Sequence, residues 1–364
     1  MKRLIWFVLS LGIIAAAVLV ARGDLELGGG GAGPAGDSGG QAGNAPKVVE
    51  EAVIEQGTIT IVHTDSATQH PIPGTEIAIV DTTSNRTLEV VTTDAEGRAV
   101  TSPLNYGNHY AVKQSKVMAP FELSQEAVSV SLLQKNQEVA LTSAIPDFVR
   151  GYAWGEDGSL DLSEVYIDNV PVVMQKPELP NGCEITSLTA VLNGLGFDLT
   201  KENMADHYLP QEPFYRKDGK LYGADPNKAY AGNPRDAIAW FSYAPPIIEA
   251  ANKVFDEFGG GYTPVDLTGS TREGIYTELD AGRPVVIWVT LDLSPPKVTS
   301  SWYFSDTGEL FKAPVNLHCV VLNGYNKASN IVHVMNPLEG QVTYDADAFF
   351  ASYDALGTHA LVIR

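Results

Sequence analysis

The chain has 364 residues, enough for two domains with additional segments. Hydrophobic residues make up 44%, sufficient for ordinary globular cores, and the formal net charge is −20 with a pI of about 4.6. A chain this acidic, with no Lys/Arg run beyond its first residues, lacks the basic footprint that nucleic-acid binding requires.

Met1-Lys2-Arg3 is a short basic start, and Leu4 to Ala21 is apolar and uncharged. Residues 1–22 therefore read as a signal peptide or an uncleaved membrane anchor. The basic start places the following chain outside the membrane, so the protein is expected to be secreted or held on the extracellular face. Residues 23–54, rich in Gly, Ala and Ser and including Gly28-Gly29-Gly30-Gly31, cannot bury apolar surface and read as a flexible linker.

Residues 55–145 carry an all-β pattern. Thr58-Ile59-Thr60-Ile61-Val62 is a β-branched run, and Thr75 to Val80 alternates with period two. Tyr110 to Lys113 and Val128 to Leu132 are later strands, and Pro73-Gly74, Asp94 to Gly97 and Asn105-Tyr106-Gly107 supply turns. Short strands at regular spacing predict a sandwich. The segments Gly57 to Ile61, Pro73 to Ile77, Thr92 to Gly97 and Gly107 to Tyr110 resemble the prealbumin-like B-type repeat of Gram-positive surface adhesins. Many such repeats join a Lys to an Asn under the influence of a Glu. Here His63 stands in the Lys position and Gln114 in the Glu position, so the resemblance implies the fold without the crosslink. It also implies a stalk or docking role.

Residues 146–164 are polar with scattered aromatics and read as a linker. From 165 to 364 the pattern becomes α+β. Asn181-Gly182-Cys183-Glu184 opens a helix in which Ile185, Leu188, Leu192 and Leu195 make one apolar stripe, ended by Gly194 and Gly196. Cys183 lies in the first turn, outside that stripe. A helix N-terminus lowers a thiol pKa through its unpaired N–H groups, so Cys183 is expected to be an activated thiol.

The chain has two cysteines, Cys183 and Cys319. In an exported protein the first reading is a disulfide. Their contexts argue otherwise, since Cys319 sits inside an apolar strand-like run directly after His318. His207, His318, His333 and His359 are candidate bases for a nucleophilic Cys183. The runs 318–322 and 331–335, joined by the turn-rich Asn323 to Asn330, suit an antiparallel pair that can set His318 beside Asn336. If His318 faces a cleft, alternation sends Cys319 into the core.

Several blocks then point one way: Val170-Pro171, Gln175, Leu179 to Ser187, Gly232-Asn233-Pro234, Ala281 to Thr290, His318 to Tyr325, and Asn336 to Gly340. Together they resemble the peptidase-like family related to bacteriocin-leader (double-glycine) processing cysteine peptidases, within the papain-like superfamily. The resemblance implies a papain-like cysteine peptidase domain over residues 165–364. It implies Cys183 as nucleophile, His318 as general base, Asn336 as the residue orienting His318, and Gln175 as an oxyanion donor beside the Cys183 N–H. The family usually shows Asp where this chain has Asn336. The expected reaction is hydrolysis of a peptide or protein substrate, wall peptide included, without cofactor or metal. The sequence has no His-Glu-x-x-His, Cys-x-x-Cys or calcium-loop pattern. The alternative is a non-catalytic papain-fold binding module of a surface protein. Oligomeric state is open at this level.

Overall fold

The computed structural model describes residues 55–364. The signal peptide or anchor expected at 1–22 and the linker expected at 23–54 lie outside the described residues.

The first domain is the expected sandwich. Its strands are β1 (Gln56–Asp65), β2 (Glu76–Asp81), β3 (Arg86–Thr92), β4 (Arg98–Val100), β5 (Leu104–Asn105), β6 (His109–Lys116), β7 (Val128–Ser131) and β8 (Asn136–Ser143). One sheet has the order β3-β2-β6-β7; the other centres on β1, with β4 and β5 antiparallel and β8 parallel to it. Period-two alternation turns Ile59 and Ile61 of β1 and Ile77 and Ile79 of β2 into a shared core. His63 and Gln114 meet inside it. The His63 ring lies 2.8 Å from Thr75 Oγ1, 3.1 Å from Ser143 Oγ and 3.2 Å from Gln114 Nε2. Hydrogen bonds among neutral groups thus link the two positions. Burial pushes the His63 pKa down to about 4, which keeps the ring neutral.

The segment 146–164, expected as a linker, is structured instead. It forms β9 (Val149–Trp154) and most of β10 (Leu160–Tyr166), an antiparallel hairpin. β10 continues into the sheet of the second domain, so that domain begins before residue 165. The hairpin also receives the sandwich. Buried Asp65 at the end of β1 accepts from Tyr152 Oη at 2.8 Å and Trp154 Nε1 at 3.4 Å, besides its local bonds to Ala67 and Thr68. His70 stacks on Trp154 with centroids 4.2 Å apart. The polar, aromatic composition that suggested a linker is the composition of an interface strand.

The second domain continues with α1 (Cys183–Gly194), α2 (Lys201–Asn203), β11 (Gln211–Glu212), β12 (Tyr215–Lys217), β13 (Lys220–Gly223), β14 (Tyr230–Ala231), α3 (Ala244–Phe258), β15 (Pro264–Asp266) and α4 (Arg272–Asp280). It ends with β16 (Val285–Thr290), β17 (Val298–Phe304), β18 (Leu310–Pro314), β19 (Leu317–Asn326), β20 (Ile331–Asn336), β21 (Gly340–Asp345), α5 (Ala346–Ala355) and β22 (Ala360–Ile363). The main sheet runs β15-β22-β16-β19-β10-β9, with β20 and β21 joined through β19. A smaller sheet, β12-β13-β17-β18, packs Trp302 and Phe311 against Phe241.

β19 is longer than the sequence suggested. Asn323-Gly324, which resembles a turn, is strand. Glycine is needed there because β10 passes so close that a Cβ would stand 2.2 Å from Val165 O.

Two outcomes test this architecture. Asp65→Ala strands the Tyr152 and Trp154 donors and is expected to lose about 1–3 kcal/mol. Limited proteolysis between Ser143 and Val149 should accelerate, whereas unchanged cleavage contradicts the docking role. Unfolded His63 titrates at the ordinary histidine value of 6.5 and folded His63 at about 4, so between these values the unfolded chain holds more protons. Its stabilisation is therefore complete above about pH 6.5 and declines by roughly 3 kcal/mol as pH falls to about 4. Hydrogen-exchange protection of β1 amides should show that decline in the wild type and a smaller one in His63→Gln.

Candidate active site

The start of α1 is placed by a close backbone turn. Gly182 precedes it because a Cβ there would meet Leu179 Cβ at 2.8 Å. The turn is pinned by Tyr230 Oη, which donates within 2.6 Å of Asn181 O, and by Asn181 Nδ2, which donates to Asp236 O at 2.7 Å. No side chain caps the helix. Cys183 through Leu192 are all buried, so α1 is covered on every side rather than along the single stripe expected. Ser187 Oγ donates to Cys319 O at 3.2 Å and ties α1 to β19.

A cleft of about 530 Å³ opens at this helix start. Cys183, His318 and Gln175 all line it. Apolar side chains supply most of the remaining wall, among them Ile238, Trp240, Leu291, Val315 and Leu338, with Lys176 at the rim. Cys319 points the other way and is fully buried, as strand alternation required. Both cysteines are free thiols, which removes the disulfide reading.

Asn336 sits behind His318. The ring Nε2 lies 2.8 Å from Asn336 Oδ1. That oxygen also accepts from the Leu338 N–H at 2.9 Å, while Asn336 Nδ2 lies 2.9 Å from Tyr344 Oη. The backbone donor fixes the amide orientation, so Nε2 carries the proton and Nδ1 keeps the lone pair. The Gln175 N–H donates to Pro337 O at 2.8 Å, which fastens this loop to the other side of the cleft. Gln175 Nε2 donates to Pro180 O at 2.9 Å, and Gln175 Oε1 is buried without a partner.

The other histidines stand elsewhere. His333 meets the Tyr166 ring, with centroids 4.9 Å apart, and His359 stacks on Tyr243 at 3.8 Å. His207 lies in the short helical stretch after α2 and is absent from the cleft lining.

The electrostatics correct one expectation. Cys183 is not a thiol of lowered pKa: burial, and then the neighbouring Glu184 carboxylate, hold it well above the ordinary value. Burial likewise pushes His318 down to about 4, against the opposing pull of Asn336. Each group charged alone is penalised in this cleft. A thiolate and an imidazolium formed together carry no net charge and escape much of that penalty.

Glu184 is the residue sequence reasoning left without a role. It is fully buried, and the Cys183 thiol donates to its Oε2 at 3.3 Å. The available signal was a carboxylate inside a helix whose next eight residues, Ile185 to Leu192, carry no charge.

The sequence profile of the Peptidase_C39 like family matches residues 167–361, more than half of the chain. This chain belongs to that family. A prealbumin-like fold domain is matched at residues 57–144. The chain is similar to the uncharacterized protein YvpB of Bacillus subtilis (strain 168), with 28% identity over 193 residues, covering 52% of this chain and 72% of that one. A putative C39-like peptidase from Bacillus anthracis has a crystal structure that is 28% identical and covers 55% of this chain and 97% of its own, with a TM-score of 0.49. The group B streptococcus pilus 2b backbone protein is 17% identical over 25% of this chain and 42% of its own, with a TM-score of 0.23.

The imidazole state is directly measurable. Nitrogen NMR of the wild type should show His318 neutral and protonated on Nε2 down to about pH 5, titrating at about 4. Titration near the ordinary value of 6.5, or an Nδ1 proton, contradicts the assigned network.

Proposed function

We propose that the chain is a cysteine peptidase, exported or held at the cell surface, that hydrolyses peptide bonds in the cleft between α1 and β19. One observation carries the reading: Cys183 and His318 line the same cleft, and the far nitrogen of His318 is held by Asn336. His318 Nδ1 takes the thiol proton, and Cys183 Sγ attacks the carbonyl carbon of the scissile amide. The imidazolium returns its proton to the leaving amine, and water then cleaves the acyl-enzyme with His318 again as base. The Cys183 N–H, at an uncapped helix start, and the second N–H of Gln175 Nε2 serve the oxyanion. Asn336 orients the ring and supplies no counter-charge for the imidazolium.

The cleft wall favours extended peptides with apolar side chains beside the scissile bond. The prealbumin-like domain supports an extracellular setting, in which it acts as stalk or docking module. Processing of double-glycine leaders is the narrower form of the reading, motivated by the blocks around Cys183 and His318. A second reading, a non-catalytic binding module, draws on the neutral, buried state of Cys183.

The test is a panel of unstructured proteins, wall peptides and a double-glycine leader peptide, incubated with the wild type and Cys183→Ala. Cleavage of at least one substrate, lowered about 10³-fold or more in the variant, is the expected result. Cleavage that survives the substitution contradicts the role of Cys183, and none across the panel at any pH between about 5 and 8 favours the binding module.

A further inference from the structure

Glu184 is a buried carboxylate in direct contact with the sulfur, and the steps above do not use it. Its two oxygens have separate partners. Oε2 receives the Cys183 thiol at 3.3 Å, and Oε1 receives the Ser242 N–H at 3.2 Å. The Ser242 peptide is itself fixed, since its carbonyl accepts from the buried Trp288 Nε1 at 2.9 Å. The carboxylate is therefore held against the sulfur from a rigid support. Among the described residues no lysine or arginine pairs with it. The groups facing Cys183 and Glu184 from neighbouring elements are His318 and Cys319 on β19 and Tyr230 on β14. None of these is a fixed cation. A buried carboxylate held by backbone and thiol donors with no cation is a poor choice for stability alone.

Resting on the peptidase reading, we infer that Glu184 is a second acid–base partner of Cys183 and that its charge sets the direction of their hydrogen bond. As a carboxylate it accepts a hydrogen bond from the thiol and holds the nucleophile in its neutral S–H form. As a carboxylic acid it donates its own O–H to sulfur, and the thiol proton is then free to pass to His318 Nδ1. The carboxylic acid form takes its proton from solvent, and the transfer from the thiol to His318 then moves one proton within the site with none lost or gained. The thiolate forms with a neutral hydrogen-bond donor beside it rather than a second negative charge. The environment suits such a role, because burial pushes the Glu184 pKa up to about 7, where both forms are present at neutral pH.

This account keeps Cys183 from gaining reactivity as pH rises above about 7, unlike an isolated thiol. The experiment measures the alkylation rate of Cys183 by iodoacetamide against pH, with the modified peptide identified by mass spectrometry to separate it from Cys319. Glu184→Gln keeps the shape and leaves a permanent neutral amide donor beside sulfur. The rate ratio of Glu184→Gln to wild type is expected to be near one at about pH 5.5 and to reach about tenfold or more at about pH 8.5. A ratio that stays flat with pH overturns the inference. If the variant does not fold, the wild type decides alone: its rate should flatten above about pH 7, whereas an ordinary thiol climbs about tenfold per pH unit up to its pKa near 8.5. A continued climb overturns the role. Peptide cleavage is read separately. A flat ratio in a protein that cleaves peptides through Cys183 removes Glu184 from the account and leaves the peptidase reading standing. A pH-dependent ratio in a protein that cleaves nothing does the opposite.

Discussion

Strand β19 is the element on which the site depends. It is paired on one edge to β16 and β10 and on the other to β20, so it lies where the main sheet is most constrained. His318 is near its start and takes its direction from strand alternation. Cys319, one residue on, turns inward and offers its carbonyl to Ser187 of α1. The same stretch of backbone therefore positions the base and anchors the helix that begins with Cys183. Asn336 reaches the ring from the end of β20, which pairs antiparallel with β19 through a register shift between Leu322 and Gly324. A shift of β19 by one residue would turn His318 into the core and Cys319 into the cleft.

Burial is the second organising fact, and it works against easy activation. The thiol, the imidazole and the Glu184 carboxyl are each driven toward their neutral forms. Helix N-terminal stabilisation of a thiolate is worth only a modest amount, of order 1 kcal/mol. Burial of a lone charge outweighs it. Reactivity in such a site must come from paired charges and from neutral donors beside sulfur, rather than from a standing thiolate. Asn336 fits that economy of charge, since it orients the ring without placing a carboxylate in the same dry cleft.

The sequence carried much of this. The α+β domain behind an all-β sandwich, the strands at Thr58 and Thr75, the helix start at Cys183 and the meeting of His318 with Asn336 are all present in the structure. The misses have physical reasons. β9 and β10 read as linker because Tyr152, Trp154 and their polar neighbours serve an interface with the sandwich, not a core with period two. Asn323-Gly324 read as a turn because glycine there answers to a neighbouring strand's closeness, which local pattern does not express. The thiol's state was misjudged because helix position is local, whereas burial is tertiary, and the adjacent Glu184 charge adds to its effect. Glu184 itself was visible as a charge beside Cys183, but only burial of both side chains sets its carboxylate against the sulfur.

The central claim is that Cys183 attacks acyl groups with His318 as its base. The most direct measurement is intact-mass analysis of the full chain after brief exposure to a peptidyl ester whose acyl-enzyme is slow to hydrolyse. The account predicts one acyl adduct, mapped to Cys183, formed rapidly by the wild type and at least about 10²-fold more slowly by His318→Ala. An adduct on another residue, or on Cys183 at a rate indifferent to His318, would contradict it.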